Sequence, residues 1–361
     1  MTERTRIFII DDSALVRQFM AEIIQTQPDL LLVGMAADPV MALPKMQNDW
    51  PDVILLDIEM PRMDGLTFLR QIMSTRPTPV VICSSLTEKG ASLTLEALSA
   101  GAVAVFAKAK LGVRQHLEQI AAALLHALRE AARAKNLAMV RRGTSAPAMR
   151  IEPVLTAARP FRLDQTTDRL VALGTSTGGT QALELVLGSL PANAPGIVVV
   201  QHMPEKFTAA FADRLNQISA IEVREARNGD RIVDGLALIA PGGLHLQVHR
   251  KGAHYSVEVI DAPPVNRHKP SVDVLFRSVA QAAGRNALGV IMTGMGDDGA
   301  RGLLAMREAG AMTLAQDEAS CVVFGMPKEA IRMGAAVAVH PLSSFPVDIM
   351  NFARQGIGRQ R

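Results

Sequence analysis

The chain has 361 residues, 48% of them hydrophobic, and a formal net charge of +3 at pH 7. This length favours two folded domains, and the small net charge with one Trp and one Tyr argues against nucleic-acid binding. Its apolar runs are far shorter than the roughly 20 residues of a membrane span, and the N-terminus lacks the apolar core of a signal peptide, so we expect a cytoplasmic protein without membrane insertion.

The first 128 residues alternate apolar strand-like segments with amphipathic helical ones. A helix is predicted after the first strand, because apolar residues recur there with a period of 3.6: Leu15, Val16, Phe19, Met20, Ile23 and Ile24. The last helix of this part is predicted at Arg114–Ala134. Continuous apolar strands between helices indicate a doubly wound parallel α/β sheet. The predicted strands are Arg6–Ile10, Leu31–Gly34, Val53–Leu56, Val80–Cys83 and Val103–Phe106.

Five polar residues follow these predicted strands: Asp11, Asp12, Asp57, Ser84 and Lys108. Ligands of a doubly wound sheet bind outside the carboxyl ends of its strands, so these side chains are expected to converge. Clustered carboxylates repel one another, and a hard divalent cation such as Mg²⁺ would neutralise them. The pattern therefore predicts a metal-assisted site in which a carboxylate accepts a phosphoryl group.

This part of the chain, residues 5–128, resembles the receiver domain of response regulators, which has a flavodoxin-like fold. The most specific match is Val53-Ile-Leu-Leu-Asp-Ile-Glu-Met-Pro61, followed by Asp64-Gly65. The resemblance implies that Asp57 accepts phosphate from a histidine kinase and that Asp11, Asp12 and Asp57 hold Mg²⁺. It also implies that Ser84 and Lys108 contact the phosphoryl group. In the family a proline usually follows this lysine, whereas this sequence has Ala109 there. The difference bears on the shape of that loop.

A second alternating block follows a segment rich in Pro, Gly and scattered charge, which is predicted to be a linker over residues 129–167. The block predicts a mostly parallel α/β domain over residues 168–355. Between residues 240 and 260 the apolar residues alternate with polar ones, which predicts a β-hairpin attached to the main sheet. Strands are expected at Leu170–Leu173, Ile197–Val200, Leu236–Ile239, Leu288–Met292 and Val337–Val339, and helices at Thr180–Leu187, Glu205–Ile218, Val272–Ala282 and Ala300–Ala309.

A glycine-rich turn after the first of these strands presents Ser176 at the start of a helix. Serine needs a base and an orienting acid, and His202 and one of Asp297 and Asp298 follow other strands of the same sheet. A hydrolytic triad competes here with an anion-binding turn, although the turn lacks the lysine of a P-loop. The order Ser, His, Asp argues against an α/β-hydrolase.

Residues 168–350 also resemble the catalytic domain of chemotaxis protein-glutamate methylesterases. The matching segments are Gly174-Thr-Ser-Thr-Gly-Gly179, Gln201-His-Met-Pro204, Ala240-Pro-Gly-Gly243, Lys269-Pro-Ser-Val-Asp273, Met292-Thr-Gly-Met-Gly296 and Ala315-Gln-Asp-Glu-Ala-Ser-Cys321. The resemblance implies Ser176 as nucleophile, His202 as general base and Asp298 as the acid, because the family's acid directly precedes the glycine. It implies an esterase without a cofactor, whose substrates are glutamyl methyl esters and glutamines of chemoreceptors.

Two further hypotheses concern how the domains work together. In the first, the unphosphorylated receiver covers the triad, and an acyl phosphate at Asp57 loosens that contact. The competing hypothesis is a response regulator with a non-catalytic binding output domain. A DNA-binding output would require a compact helical module with a basic recognition helix, and residues 168–350 show strands and glycine-rich turns instead.

Overall fold

The structure is a computed structural model that describes residues 4–85, 88–108, 114–134, 169–205 and 207–354. Within these ranges, the side chains of residues 85, 88–89, 91–92, 107–108 and 114–120 are not described. The predicted linker, residues 129–167, falls mostly outside the described residues. None of the described helices is both long and apolar enough to cross a membrane.

The N-terminal part is a five-stranded parallel sheet with the strand order β2-β1-β3-β4-β5. This is the doubly wound, flavodoxin-like order, and it confirms the predicted fold class. The strands are β1 Thr5–Ile10, β2 Leu30–Ala36, β3 Val53–Asp57, β4 Val80–Ser85 and β5 Ala104–Lys108. The helices are α1 Ala14–Gln25, α2 Pro39–Asn48, α3 Gly65–Thr75, α4 Glu88–Ser99 and α5 Arg114–Ala132.

Side chains that follow the strands also start the next helices. Ser13 accepts a hydrogen bond from the backbone N–H of Val16 and caps α1, and Asp64 caps α3 by accepting from Thr67 at 2.8 Å. Gly65 allows α3 to begin directly against β3, since a Cβ there would lie 2.0 Å from the carbonyl oxygen of Asp57. The loop after β3 is therefore held close to the predicted phosphate acceptor.

The C-terminal part is a seven-stranded parallel sheet with the order β14-β13-β12-β6-β7-β9-β8. Every predicted strand and helix of this part forms, with small shifts at the ends. The main-sheet strands are β6 Leu170–Thr175, β7 Gly196–Gln201, β8 Glu222–Glu225, β9 Leu236–Ile239, β12 Ala287–Ile291, β13 Met312–Gln316 and β14 Ala338–His340. The helices are α6 Gly179–Gly188, α7 Phe207–Ile218, α8 Val272–Ala283, α9 Ala300–Glu308, α10 Met326–Arg332 and α11 Phe345–Arg354.

The predicted hairpin forms, but its attachment to the main sheet was predicted wrongly. Strands β10 His245–Lys251 and β11 His254–Ile260 pair antiparallel as a separate two-stranded sheet. The hairpin packs on α8 through the buried side chains of Leu246 and Val257, and Ser278 of that helix accepts a hydrogen bond from Val248 at 2.9 Å. A helix face thus buries the apolar side of the hairpin, which leaves no need for pairing with the main sheet.

The two parts of the chain pack directly against each other. Val322 and Val323 of the C-terminal part are buried in the same hydrophobic cluster as the core of the N-terminal sheet. Ser99 of α4 donates a hydrogen bond to Glu184 of α6 at 2.7 Å, and Gln181 of α6 donates to the carbonyl oxygens of Leu98 and Ala102. Apolar burial and polar contacts therefore both join the two parts of the chain.

Candidate active site

The three aspartates predicted to bind metal converge at the carboxyl end of the N-terminal sheet. One oxygen from each of Asp11, Asp12 and Asp57 lies within 4.8 Å of the others. Asp11 and Asp57 are buried, and each accepts a backbone hydrogen bond, from Ser13 at 2.9 Å and Glu59 at 3.3 Å. Three carboxylates at this spacing are a suitable oxygen ligand set for Mg²⁺.

Ser84 and Lys108 lie at the same edge, on the next two strands. Asp57 of β3 pairs with Cys83 of β4, so Ser84, the next residue of β4, lies close to Asp57 at the end of the sheet. The Ser84 hydroxyl donates to the carbonyl oxygen of Gly90 at 3.2 Å and accepts from Thr94 at 2.6 Å. It is therefore tied to α4, so a movement of Ser84 would be transmitted to that helix. Lys108 ends β5, and its side chain lies outside the described ones.

Ser176 stands in the turn between β6 and α6, at the carboxyl end of the C-terminal sheet. The turn needs Gly178, which adopts the left-handed conformation with φ +78° immediately before α6. The backbone N–H of Ser176 donates to Thr293 at 3.0 Å, and a Cβ at Gly294 would lie 2.7 Å from that of Ser176. The turn that carries Asp298 therefore packs closely on the turn that carries Ser176.

His202 follows β7 and forms a buried pair with Asp298. Its Nε2 lies 2.8 Å from Oδ2 of Asp298. Its Nδ1 is buried and has no hydrogen-bond partner among the described residues. A buried ring nitrogen without a partner is costly unless a ligand or reacting group uses it. The ring therefore has one nitrogen held by the acid and the other available to a serine hydroxyl.

The Asp298 carboxylate lies at the N-terminus of α8. Its oxygens accept hydrogen bonds from the backbone of Val272 at 2.7 Å, from the Ser271 hydroxyl at 2.7 Å and from the Asn266 amide at 2.8 Å. Burial alone would raise the pKa of Asp298, but the hydrogen bond and charge of His202, with Asn266 and Ser271, lower it well below its usual range. The carboxylate is thus ionised and fixed beside the imidazole.

His268 stacks on His202, with ring centroids 3.7 Å apart and an angle of 8° between the rings. Its position against the ring of His202 was not predicted from the sequence. Asn266 and Arg267 precede it in the left-handed conformation, with φ values of 52° and 69°. No periodicity marks such a loop. The signal that could have indicated it is the polar run between two predicted elements, since binding residues concentrate on such loops.

The environment of His268 predicts a pH dependence of stability. Burial first, and then the charges of His202, His126 and Arg267, lower the pKa of His268 to about 3, against the opposing effect of Asp298. The unfolded chain binds a proton at the ordinary pKa while the folded chain does not, so stability falls as the pH drops below about 6.5. Between pH 7 and 5 this one group should cost roughly 2 kcal/mol.

The measurement is urea unfolding of wild type and His268→Gln at both pH values. The variant should lose less stability on acidification than wild type does. His249→Gln, which replaces a half-exposed histidine paired with Glu258, is the matched control. It should lose as much stability between pH 7 and pH 5 as wild type does. An equal loss of stability on acidification in all three proteins would contradict the assignment of this effect to His268.

A cavity of about 340 Å³ joins the candidate catalytic residues to the N-terminal domain. Ser176, His202 and His268 line one side of it. His126 and Glu130 of α5 line the other side. The N-terminal domain therefore forms part of the wall around the candidate triad in this structure.

Comparison with known proteins assigns both halves of the chain. The family model of the response regulator receiver domain matches residues 7–120, and that of the CheB methylesterase matches residues 171–349. A "Protein-glutamate methylesterase/protein-glutamine glutaminase 2" of Pseudomonas syringae pv. tomato is 58% identical over 355 residues, covering 97% of this chain and 99% of the relative. A protein of the same name from Xanthomonas campestris pv. campestris is 59% identical, covering 95% and 99%.

A solved structure agrees with this comparison. The crystal structure of the Thermotoga maritima CheB methylesterase catalytic domain is 36% identical, with a TM-score of 0.50, and covers 51% of this chain and 97% of that one. The sequence identity extends over nearly the whole chain and over both domains in the same order. The chain therefore belongs to the family of protein-glutamate methylesterases/protein-glutamine glutaminases that carry a response regulator receiver domain.

Proposed function

We propose that Ser176, His202 and Asp298 form the catalytic triad with which this chain hydrolyses glutamyl methyl esters, and deamidates glutamines, of chemoreceptors. Family membership supports the reaction and the substrate class. The observation that carries the assignment of residues is the buried 2.8 Å pair of His202 and Asp298 at the sheet edge that also presents Ser176. These are the positions that nucleophilic acyl transfer requires.

The reaction follows from these positions. The Ser176 hydroxyl attacks the ester carbonyl while Nδ1 of His202 takes its proton, and the Asp298 carboxylate stabilises the imidazolium. The imidazolium returns the proton to the leaving group, so methanol departs from an ester and ammonia from an amide. Water then hydrolyses the acyl-enzyme to the glutamate and frees Ser176. Base catalysis of this kind contributes about 10²–10⁴ in rate.

The start of α6 supplies electrostatic help to the same reaction. The negative charge on the carbonyl oxygen develops beside Ser176, two residues before Gly178, which is the N-cap of this ten-residue helix. Helix N-termini carry a partial positive charge and unused backbone donors, which favour an anion over a neutral group. A donor aimed at the oxyanion contributes about 3–4 kcal/mol at most. The tight turn through Gly178 therefore serves both to place the nucleophile at the sheet edge and to stabilise the oxyanion.

The proposal includes regulation by phosphorylation of Asp57. A histidine kinase is the expected phosphodonor, Ser84 and Lys108 would contact the phosphoryl group, and Asp11, Asp12 and Asp57 would hold Mg²⁺, which supplies charge neutralisation when bound. The proposed domains are a receiver at residues 5–128, a linker at 129–167 and a methylesterase domain at 168–355. We expect a cytoplasmic enzyme that needs no cofactor for ester hydrolysis.

The position of the receiver supports occlusion as the mechanism of control. Helix α5 lines the cavity that contains Ser176 and His202, so a receptor helix cannot reach the triad while α5 is there. Ser84 is hydrogen-bonded to α4, which in turn contacts Gln181 and Glu184 of α6. Each charge-assisted hydrogen bond made to a new phosphoryl group supplies about 1.5–3 kcal/mol, so two or three would shift such an equilibrium almost completely.

The test measures methanol release from receptor carrying radiolabelled methyl groups. Wild type should be stimulated roughly tenfold or more by a small-molecule phosphodonor with Mg²⁺, because the receiver is then displaced. Asp57→Asn should keep the basal rate and lose the stimulation. Equal stimulation in Asp57→Asn would contradict phosphorylation at that residue, and a wild type that the phosphodonor does not stimulate would contradict control by occlusion.

A further inference from the structure

Glu130 projects from the receiver helix α5 into the catalytic cavity. It is only 7% exposed, although α5 belongs to the other domain. Glu130 and Thr177 line the same cavity, and Nε2 of His126 lies 3.5 Å from Oε1 of Glu130. Thr177 is the residue that directly follows the nucleophile Ser176. A glutamate side chain is therefore held next to the serine that acts on glutamyl groups.

The surroundings of this carboxylate are unfavourable for a purely structural ion pair. Burial raises the pKa of Glu130, and this outweighs the lowering by His126, Thr177, His202 and Arg133. Removing a carboxylate from water costs several kcal/mol unless it is fully paired, so an apolar residue would hold the two domains together at least as well. Other contacts also join the two domains: Ser99 donates a hydrogen bond to Glu184, and Gln181 donates to the carbonyl oxygen of Ala102.

We propose that Glu130 is an internal product analogue, whose γ-carboxyl group occupies the subsite beside Ser176 and Thr177 that receives the γ-carboxyl group of a receptor glutamyl side chain. The inference rests on the proposed function of the triad. Glu130 matches the product of that reaction in three respects: it is a glutamate, it is presented by a helix, and it lies in the cavity of Ser176 and His202.

With Glu130 as a product analogue, the receiver would compete with receptor for the subsite beside Ser176. An analogue on the same chain is present at high effective concentration, so it competes with receptor even where its own binding is weak. The receiver then does more than block access, because it fills the subsite with a group the enzyme cannot process further. Receptor glutamyl esters and glutamines would have to displace that group before they could reach Ser176.

The experiment uses the full chain with Glu130→Gln, which is nearly isosteric and keeps a side-chain carbonyl oxygen at the same position. In the proposed subsite the new side-chain amide is a substrate. Ser176 attacks its carbonyl carbon, the C–N bond breaks, ammonia takes the proton from His202, and water hydrolyses the acyl-enzyme to restore glutamate. Mass spectrometry of the peptide containing position 130 follows the replacement of NH₂ by OH over time.

The matched control is Glu22→Gln, which places the same amide on an exposed face of α1. Deamidation at position 130 should exceed that of the control by at least about 100-fold, since the amide is already held at the site. It should disappear when Ser176→Ala is added to Glu130→Gln. Conversion that persists without Ser176 would overturn the proposal.

Receptor turnover by the same preparations separates this inference from the proposed function. Wild type and Glu130→Gln are assayed for methanol release with phosphodonor and Mg²⁺. If neither turns over receptor, the proposed function itself fails, and the inference fails with it. If both turn over receptor while the amide at position 130 persists at the rate of the control, the assignment of Glu130 as a product analogue is overturned alone.

Discussion

Replacing Ser176 by alanine is expected to slow methanol release from methylated receptor by about 10⁶-fold, with the folded structure retained. In the proposed mechanism this hydroxyl forms the acyl-enzyme, and among the described residues that line the cavity Ser176 is the one serine. Its removal leaves only the contribution of binding and of the oxyanion donors. The measurement compares initial rates of methanol release for wild type and Ser176→Ala in the presence of phosphodonor and Mg²⁺.

Ser189→Ala is a suitable control, because Ser189 lies at the end of α6 and its hydroxyl only donates to the carbonyl oxygen of Leu185. It should retain the wild-type rate. A serine-directed acylating probe should label wild type and Ser189→Ala but not Ser176→Ala. A non-catalytic output domain predicts the opposite result: no labelling of any protein and no methanol release.

Replacing Asp298 by asparagine is expected to lower the rate by about 10⁴-fold. Asparagine has nearly the same shape, but it carries no charge to stabilise the imidazolium. Its NH₂ group would also face donors, since Val272, Ser271 and Asn266 all donate to the native carboxylate. The imidazole of His202 would then take the wrong tautomer, with Nδ1 unable to accept the serine proton.

The neighbouring aspartate provides a control that differs by one position. Asp297 is exposed and pairs with Arg301 at 3.1 Å on the surface of α9, so Asp297→Asn should change the rate by less than about twofold. The comparison measures kcat and KM for both variants with methylated receptor. If Asp297→Asn were the slower enzyme, the third member of the triad would have to be reassigned.

The N-terminal domain was the more predictable of the two from sequence. Each of its five strands contains an uninterrupted apolar run, and polar residues at the strand ends mark the predicted site. The reason is physical: strands of a parallel sheet are buried on both faces, and the side chains that follow them can meet only at one edge. Asp11, Asp12 and Asp57 do meet there.

Strands β8 and β13 and helices α10 and α11 of the C-terminal domain were not predicted, and two of these elements have weak patterns. Strand β8, Glu222–Glu225, contains a single apolar residue, and only its pairing with β9 makes it a strand. Helix α10, Met326–Arg332, has seven residues and a proline in its first turn, too few for a helical period to emerge. Tertiary contacts, rather than local preference, decide such elements.

The sequence by itself determined the two domains, their parallel sheets, the serine on its glycine-rich turn and the histidine at the next strand end. These features follow from the local periodicity of apolar residues and from the positions of glycines and strand ends. Each of these signals depends on only a few neighbouring residues. The residue pattern alone left Asp297 and Asp298 both open as the acid, and the family resemblance favoured Asp298. Only the tertiary structure decided that His268 stacks on the ring of His202 and that Glu130 enters the cavity. Those contacts join residues that are distant in the chain. They depend on how whole helices and loops pack, and a local sequence pattern carries no information about that packing.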